Sequence, residues 1–438
     1  MRFSCLIVAA VLAASAGIHA DAFAAPCESA APALPLTPAW ALRRMEDCNR
    51  DLQAAQRAVT ASLADLRTAG QVPNPTLTVG AGSISPSAGI GAGPLWRKTL
   101  DSSLRYEQLV ERGGKPALRR RAAEQLSAAA RQDVAEIRRQ QSLAVLQALV
   151  DVASADARGA LLADISTLYT ESQRANERRT ARGDLAPIDA QRQAIEATRA
   201  QGDVAQARAD ALRARLALAG LLALEPVAAA LQVDPAVLDP LLPAQTADDA
   251  GQRPDVAAAR LRVEAARAAH DLAQAQARPD VTVGLQLDHW PTSAANPVGT
   301  GNTVSVTFSV PLLLRHSFDG ELARAVSDSD AAEEALARLL ATAQAERARM
   351  DNDLRAARTR QQLLQTQLAP QAEQVARAAE LGYAKGALSL LDVLDARRVL
   401  RQTRLDLLAA RADAARAAFA RSRWTSSAAA DAATSSPP

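Results

Sequence analysis

The sequence has few of the residues that usually build a compact mixed core or a catalytic centre. Aromatic residues make up only 3% of the 438 residues, and the chain has 3 cysteines and 4 histidines. Alanine, leucine, arginine and glutamine are abundant instead, which is typical of coiled coils and other long helices. Three of the histidines, His270, His289 and His316, are too scattered to form a metal site. No Ser/His/Asp or Cys/His motif is present either, so we expect no metal, no cofactor and no enzyme activity.

An excess of charge of one sign is also absent. The 50 lysine and arginine residues are balanced by 48 aspartate and glutamate residues, which gives a formal net charge of +2. A chain that binds nucleic acid typically carries a clear surplus of positive charge. We therefore expect no nucleic-acid partner.

The sequence has one apolar run near its start and no later run that approaches the length of a transmembrane helix. That first run, from Leu6 to Ala16, follows Arg2 and is too short to span a bilayer. Small residues around Ala22-Phe23-Ala24 follow it, so we interpret residues 1–24 as a signal peptide. A membrane span of the mature chain would then have to be made of strands.

A secreted chain would keep two cysteines, Cys27 and Cys48, in an oxidising compartment. Such cysteines can pair as a disulfide. The alternatives are two free thiols or lipidation of Cys27. Pro26 disfavours lipidation, because a small residue is wanted just before a lipidated cysteine.

A short pattern typical of a strand occurs twice in the chain. The first copy begins at Pro75, and the second begins at Pro279. From Val281 to Leu287, apolar and polar residues alternate, which is the period of two of a half-buried strand. Weaker or later alternation predicts two further strands, over residues 100–110 and 304–310. The chain would thus contain four strands.

Long helices separate these strands, and the two halves of the chain follow the same plan. The sequence predicts helices over residues 40–69, 117–182, 187–223, 256–277, 319–383 and 386–424, with a kink at Pro370. Pro75 corresponds to Pro279 at an offset of 204, and Gly183 corresponds to Gly386 at an offset of 203. A constant offset between distant anchors predicts an internal two-fold repeat.

This repeat suggests how the chain is divided. Each copy contains a helix, two strands and a long helical hairpin. A Pro-rich linker or equatorial region joins the copies, and the tail is rich in Ser, Ala and Pro, a composition typical of disorder. The predicted segments are the signal peptide 1–24, the first repeat 25–225, the linker 226–252, the second repeat 253–424 and the disordered tail 425–438.

Four strands with one apolar face cannot close a barrel in lipid by themselves, because the smallest outer-membrane barrels have about eight strands. Unpaired strand edges are not tolerated in lipid, so several protomers would have to share one barrel. In that arrangement Val304, Val306, Phe308 and Val310 face lipid, and the intervening Ser305, Thr307 and Ser309 face water. The predicted fold is mainly α, with long helical hairpins and a membrane β-barrel. The alternative is a soluble sheet packed on helices.

Several motifs occur in a fixed order along this repeat, and each is weak alone. They are Pro73-Asn74-Pro75, Gly113-Gly114-Lys115, Arg253-Pro254-Asp255, Tyr383-Ala384-Lys385-Gly386 and Leu391-Asp392-Val393-Leu394-Asp395-Ala396. Together they resemble the TolC family of outer-membrane channels, and most closely its heavy-metal efflux branch. The resemblance implies a homotrimer with a twelve-stranded barrel in the outer membrane and a twelve-helix tunnel across the periplasm. It also implies a periplasmic adaptor protein and an inner-membrane RND pump as partners, and outer-membrane lipid around the barrel.

The two hairpin turns are candidate docking sites for the adaptor by the same resemblance. They are Gly183-Asp184-Leu185-Ala186 and Gly386-Ala387-Leu388-Ser389. The alternative is plain turn chemistry, since glycine ends a helix at little cost.

Asp392 and Asp395 are candidate residues of a selectivity ring at the periplasmic entrance. They are three residues apart and share a helix face. In a trimer they would place six carboxylates around one axis, where they could attract cations and raise some of their own pKa values by repulsion. The alternative is a solvated face paired with Arg397 or Arg398.

The expected function is therefore a passive exit duct across the outer membrane and periplasm, as part of a tripartite RND-type efflux system. Heavy-metal cations are the substrate class that the resemblance suggests. One alternative is the exit duct of a type I protein secretion system, which shares the fold. Another is a periplasmic coiled-coil scaffold with a small soluble β cap and no pore.

Overall fold

The structure, a computed structural model, describes residues 35–82, 84, 98, 100–183, 186–240, 249–292, 298–299 and 301–424. The predicted signal peptide, the predicted disordered tail and Cys27 lie outside the described residues. So do Asp184 and Leu185 of the first predicted hairpin turn.

The same series of elements occurs twice along the chain. The first half contains α1 (Pro38–Cys48), α2 (Arg50–Ala69), β1 (Thr76–Gly82), β2 (Asp101–Val110), α3 (Lys115–Ala181) and α4 (Pro187–Leu222). The second half contains α5 (Pro254–Gln276), β3 (Val281–Trp290), β4 (Gly301–Ser309), α6 (Asp319–Leu363), α7 (Ala369–Ala384) and α8 (Leu390–Ser422). The predicted mainly helical fold with an internal repeat is confirmed.

The first predicted helix is wrong in one respect, because it is broken at Asn49. The backbone of Asn49 is extended, with φ −68° and ψ 125°. Its side chain accepts hydrogen bonds from the backbone N–H groups of Asp51 and Leu52, both at 3.0 Å. Asparagine favours this position because it satisfies the free N–H groups at a helix start. Residues 40–69 therefore form two helices.

The predicted kink at Pro370 takes the form of a short π-helical turn, Leu364–Leu368, between α6 and α7. Proline has no backbone N–H, so it removes one bond of the regular helical ladder. A π turn absorbs such a defect without ending the helix. The outgoing arm of the second hairpin therefore consists of α6, the π turn and α7, whereas α3 is one continuous helix of 67 residues.

The four strands form one antiparallel sheet in the order β1-β2-β3-β4. Tyr106 pairs with Leu77 on one side and with Leu285 on the other, and Leu285 pairs with Val306. One face of the sheet is therefore apolar, as predicted. Its most exposed side chains include Leu77, Val79, Leu104, Tyr106, Leu285, Leu287, Val304, Val306 and Phe308. The opposite face carries polar residues, among them Arg105, Glu107, Gln286, Ser305 and Thr307.

The main apolar core lies where α1 to α4 and the end of α8 meet the segment that follows α4. In that segment, two short 3-10 helices, Glu225–Ala230 and Pro235–Leu238, bury apolar side chains against the helices. A parallel bridge joins Leu36 to Val233. The described part of the predicted Pro-rich linker is thus packed into the core, because burial of its apolar side chains favours docking over an extended connection.

Two of the sequence motifs form ion pairs that join separate elements of the fold. Lys115 donates from Nζ to the carboxylate of Asp280 and to the carbonyl of Arg278, both at 2.8 Å, and so joins the start of α3 to the chain before β3. Arg253 binds both Asp255 and Glu346 at 2.6 Å, and its guanidinium lies 5.7 Å from the ring centre of Trp424. The second motif therefore ties the start of the second repeat to its end.

The long helices of the two repeats differ in burial. Sixteen residues of α3 are buried, but only Ala343 and Leu354 of α6 are. The reason is that α3 lies between α2, α4 and α5, whereas α6 packs chiefly on α5 and α8. Among the described helices, none is both long enough and apolar enough to cross a bilayer.

Candidate functional site

The candidate site is the end of the helical hairpins that lies away from the sheet. Gly183 follows the end of α3 with φ +81°, and Gly386 follows the end of α7 with φ +75°. Backbone in this left-handed region favours glycine, because it has no Cβ to clash. Both glycines therefore lie at chain reversals, as predicted. The predicted contribution of Asp184 and Leu185 lies outside the described residues.

The second turn is built around a contact between Leu388 and Gly382. The N–H groups of Ala387 and Leu388 donate to the carbonyl of Gly382 at 2.8 and 3.3 Å. A Cβ at position 382 would lie only 2.7 Å from Cδ1 of Leu388 and 2.9 Å from its Cγ. The leucine thus rests on bare backbone, and it remains 42% exposed. The second turn therefore presents an exposed apolar side chain.

Asp392 has a structural task at the start of α8. Its carboxylate accepts from the hydroxyl of Ser389 at 2.7 Å and from the backbone N–H of Ser389 at 2.9 Å. The backbone N–H of Asp392 donates in return to Oγ of Ser389 at 3.3 Å. This reciprocal arrangement is a capping box. Within one protomer, the bonds from Ser389 hold the pKa of Asp392 below its ordinary value. The rise predicted for six carboxylates in a trimer stays a prediction.

Asp395 lies one turn further along α8 and pairs with Arg398. The distance between its Oδ1 and Nη1 of the arginine is 3.3 Å. The Asp395 side chain is exposed. The predicted alternative, a solvated face paired with an arginine, therefore describes Asp395 within one protomer. Asp392 and Asp395 still share the exposed start of the helix, so a ring between protomers stays a prediction.

A row of arginines on α8 binds the other helices near the hairpin ends. The spacing of three to four residues places these side chains on one side of the helix. Sequence reasoning missed this row, although its spacing was readable. The ion pairs and hydrogen bonds are Arg397 to Glu380 and Ser172 at 2.9 Å each, Arg398 to Glu196 at 2.6 Å, Arg401 to Asp203 at 3.3 Å and Arg404 to Glu373 at 3.0 Å.

Among the partners of these arginines, Glu196 is the most buried, with 5% of its surface exposed. Burial alone would raise the pKa of its carboxyl group. The guanidinium groups of Arg398, Arg199 and Arg401 outweigh that effect, so the pKa lies below its ordinary value. A carboxylate at this depth depends on its partners, because an unpaired buried charge is costly. The pair between Glu196 and Arg398 therefore fastens α8 to α4.

Tyr169 of α3 lies beside these charges in a small apolar cluster. It packs with Ala197 and Ala200 of α4 and with Leu394 of α8. Burial, above all, raises the pKa of its phenol. Within the described residues its hydroxyl has no hydrogen-bond partner. The first hairpin and α8 are thus joined by apolar packing as well as by ion pairs.

One contact joins the two hairpins next to their turns. Arg179, in the last turn of α3, donates from Nη1 to the hydroxyl of Tyr383 at 2.7 Å. The guanidinium carbon also lies 5.4 Å from the centre of the tyrosine ring, within cation–π range. Tyr383, beside the second turn, thus binds the first hairpin.

Two further predictions concern cysteines and metals. Cys48 is buried and disulfide-bonded. Because Cys27 lies outside the described residues, the pairing of Cys27 with Cys48 stays a prediction. In the described part of the chain, no group of three or more His, Cys, Asp and Glu side chains is placed to hold a metal ion.

The chain is similar to known proteins over most of its length. Residues 249–420 match the family described as outer membrane efflux protein. The chain is 27% identical over 387 residues to the cobalt-zinc-cadmium resistance protein CzcC of Cupriavidus metallidurans, covering 85% of this chain and 86% of that protein.

Solved structures show the same fold. A membrane protein from Pseudomonas aeruginosa superposes with a TM-score of 0.77 at 20% identity, covering 92% of this chain and 99% of that one. CusC superposes with a TM-score of 0.70 at 18% identity, covering 90% and 98%. The family match lies in the second repeat, and the similarity in sequence and fold extends over both. The second repeat therefore carries the outer membrane efflux protein domain, and the resemblance predicted from the sequence is confirmed.

Proposed function

We propose that this chain forms the outer-membrane channel of a tripartite efflux system that exports heavy-metal cations. The match of residues 249–420 to the outer membrane efflux protein family and the similarity to CzcC support the efflux role and the prediction that the chain is not an enzyme. The substrate class is supported by the similarity to a protein named for cobalt, zinc and cadmium resistance. The observation that carries the proposal is the four-stranded sheet, with an exposed apolar face, at one end of long helical hairpins.

The sheet is the part of the protomer that enters the outer membrane. Phe308 and Val306, on the edge strand β4, are 70% and 61% exposed. Soluble proteins rarely leave a contiguous apolar surface of this kind uncovered, and lipid would cover it. On the other face, Arg105 donates to Gln286 at 2.5 Å, and Gln286 donates to Asp288 at 2.6 Å. That polar face would line the water-filled lumen.

The two edges of the sheet require other copies of the chain. β1 and β4 are the outer strands. In lipid their unpaired backbone groups would cost several kcal/mol each, so the sheet must close. Three protomers would supply twelve strands, which is within the range of closed outer-membrane barrels. The homotrimer implied by the family resemblance would therefore provide hydrogen-bond partners for the unpaired backbone groups of β1 and β4.

The helices carry the duct away from the membrane through the periplasm. The 67 residues of α3 rise about 100 Å at about 1.5 Å per residue. Their far ends hold the hairpin turns, where the exposed Leu388 offers a contact for the periplasmic adaptor. An inner-membrane RND pump would supply the energy, and this chain would be a passive conduit.

The start of α8 would form the entrance ring. Asp392 and Asp395 lie one turn apart there. Both carboxylates are solvent-exposed, and an aspartate with an ordinary or lowered pKa is charged at neutral pH. Six such carboxylates around a three-fold axis would attract cations to the entrance.

Extraction of the outer-membrane fraction tests this proposal. We expect a trimer by native mass, discrete cation-selective conductance in a planar bilayer, and restored tolerance to cobalt, zinc and cadmium in a strain that lacks the channel. A soluble protein without conductance would contradict the channel and leave the scaffold alternative. A conducting trimer that exports a protein and gives no metal tolerance would favour the type I secretion alternative.

A further inference from the structure

The charged side chains of the sheet lie on its polar face, in successive rows. Glu107, Arg105 and Asp101 alternate with outward-facing residues along β2. Asp288 of β3 pairs with Ser103, so it lies in the row between Arg105 and Asp101. Among the described lysine and arginine residues, only Arg105 lies in a strand. On the strands that the structure describes, this face thus has a single basic level, with carboxylates on both sides of it.

Two neighbours hold the side chain of Arg105 over this face. Its Nε donates to Oε1 of Gln286 at 2.5 Å, and its Nη1 lies 3.6 Å from Oε1 of Glu107. Gln286 in turn donates from Nε2 to Oδ1 of Asp288 at 2.6 Å. The amide of Gln286 therefore lies between the guanidinium and the carboxylate of Asp288 and keeps these opposite charges apart.

The guanidinium of Arg105 remains accessible to water and to ions. Its side chain is 44% exposed, and its contact with Glu107 is longer than a hydrogen bond. The members of its row on β1 and β4, Thr78 and Ser305, have short side chains. Arg105 is therefore the longest side chain at this level. Its charge is permanent, because a guanidinium does not lose its proton in proteins.

We propose that Arg105 is a selectivity-determining residue of the channel and limits the passage of cations through the barrel. This inference rests on the proposed trimer, in which the polar face lines the lumen. The three-fold axis would then place three guanidinium groups at one level of the pore. The end of β2 that contains Glu107 is the end that leads to α3. A cation that leaves the helical tunnel would thus meet Glu107, then the basic level, and then Asp288.

The effect of the basic level depends on the charge of the ion. Successive rows on one face are about 7 Å apart along a strand, less than the Debye length of about 10 Å at 0.1 M salt. The carboxylates therefore attract cations to both sides of the level, and the guanidinium groups oppose their passage across it. The Coulomb repulsion is twice as large for a divalent cation as for a monovalent cation at the same distance. Loss of Arg105 should therefore favour divalent cations more than potassium.

A purely structural role of Arg105 would be its hydrogen bond to Gln286. The backbone pairs from Ser102 to Val110 already join β2 to β3, so this bond adds little to their pairing. Two variants separate the charge from the hydrogen bond. Arg105→Gln removes the charge, whereas Gln286→Ala removes the hydrogen bond and leaves the charge in place.

Reversal potentials of the trimer in a planar bilayer test this proposal. They are measured at about 0.1 M salt, first across a potassium chloride gradient and then with cobalt chloride on one side. We expect Arg105→Gln to raise the cation-to-anion permeability ratio about twofold for potassium and about fourfold for cobalt, because twice the energy squares the factor. Arg105→Lys and Gln286→Ala should stay close to the unsubstituted channel.

A cysteine in the same row tests the basic level without changing Arg105. Ser305→Cys is modified in the conducting channel with a cationic or an anionic water-soluble thiol reagent. The cationic reagent should lower the preference for cations, and the anionic reagent should raise it, as the loss of Arg105 does. Val306→Cys, on the apolar face of the same strand, is the matched control and should not respond. This measurement decides if Arg105→Gln does not assemble.

The outcomes separate this inference from the proposed channel. A conducting trimer in which Arg105→Gln leaves both permeability ratios unchanged would overturn the inference and leave the channel intact. An equal change in Gln286→Ala would do the same, because the hydrogen bond rather than the charge would then be responsible. So would a Ser305→Cys channel whose selectivity neither reagent changes. A protein without conductance would overturn the proposed channel, and this inference with it.

Discussion

The strands of the two repeats pair in the same register, since Thr78 pairs with Arg105 and Thr282 pairs with Ser309. The long helices of the two repeats nevertheless differ in how much of their surface is buried. In the first repeat, α3 is enclosed by helices of its own protomer and buries sixteen residues. In the second, α6 buries two residues, and β4 is an outer strand of the sheet that the described residues form. Sequences that follow one plan would otherwise bury equivalent surfaces. The first repeat thus buries its long helix within the chain, and in the proposed trimer another copy would cover the exposed side of the second.

The hairpins differ in a second way. The outgoing arm of the first is a single helix, and that of the second contains the π turn and Pro370. The second hairpin is also held to the first through the arginines of α8 and through Tyr383. In the proposed channel, the first hairpin would be the scaffold, and the position of the second would set the width of the entrance.

The largest expected effect comes from a charge on the apolar face of the edge strand. Phe308→Lys should strongly reduce the membrane-inserted trimer, because a lysine facing lipid at mid-depth costs about 2–4 kcal/mol in each protomer. Thr307→Lys, on the polar face of the same strand, is the matched control and should assemble. The measurement is the fraction of chain recovered as trimer from outer membranes. Equal recovery of both variants would mean that this face does not meet lipid.

A smaller effect is expected when the link between the hairpins is cut. Arg398→Ala leaves Glu196 buried without its main partner. We expect a loss of about 1–2 kcal/mol, less than the 3–5 kcal/mol for a fully buried pair, because Arg398 is itself 44% exposed. The entrance should loosen, so single-channel conductance should rise as the melting temperature of the trimer falls.

Arg377→Ala is the control for that link. Arg377 pairs with Glu373 within α7, so its removal leaves the contacts between the hairpins in place. We expect unchanged conductance for this variant. If Arg398→Ala behaves like the control, the position of the second hairpin is set by something other than the arginine row.

Two glycine substitutions should change the free energy of unfolding in opposite directions. Gly159→Ala in α3 meets no atom within 4 Å and should stabilise the helix by about 0.5–1 kcal/mol. Gly382→Ala in α7 should be destabilising by about 1 kcal/mol, because the new methyl group collides with Leu388. Chemical denaturation measures both. The double variant Gly382→Ala with Leu388→Ala should recover most of the loss, and failure to recover would place the strain elsewhere.

Features that depend on local patterns could be predicted from the sequence. Alternation located the strands, glycine located the turns at Gly183 and Gly386, and the offset of 204 located the repeat. The division of the chain at residues 225 and 253 stays a prediction. The break at Asn49 was missed, because an asparagine inside an apolar stripe is compatible with a continuous helix until its side chain is seen to cap.

The candidate site was harder to predict, because its partners are far apart in sequence. Arg398 and Glu196 are separated by 202 residues, and no local pattern pairs them. The capping box is a different case. Its spacing, from Ser389 to Asp392, was present in the sequence, but the carboxylate was interpreted only as part of a ring. A carboxylate at the start of a helix can both cap the helix and belong to a ring between protomers. Capping lowers its pKa, whereas repulsion within a ring would raise it.

The smallest expected effect is the pH dependence of the second turn. The pKa of Asp392 is lowered in the folded chain, so its bonds to Ser389 contribute stability above the ordinary aspartate pKa of about 3.9. That contribution is lost as the pH falls through the lower folded pKa. Hydrogen exchange at the start of α8 should therefore be slow at neutral pH and accelerate, beyond its intrinsic pH dependence, only in acid. Asp392→Asn should exchange faster at neutral pH and lose this transition, whereas Asp395→Asn should keep it. If instead the six carboxylates of a trimer repel one another enough to dominate, the transition will move to higher pH, and Asp395→Asn will shift it back.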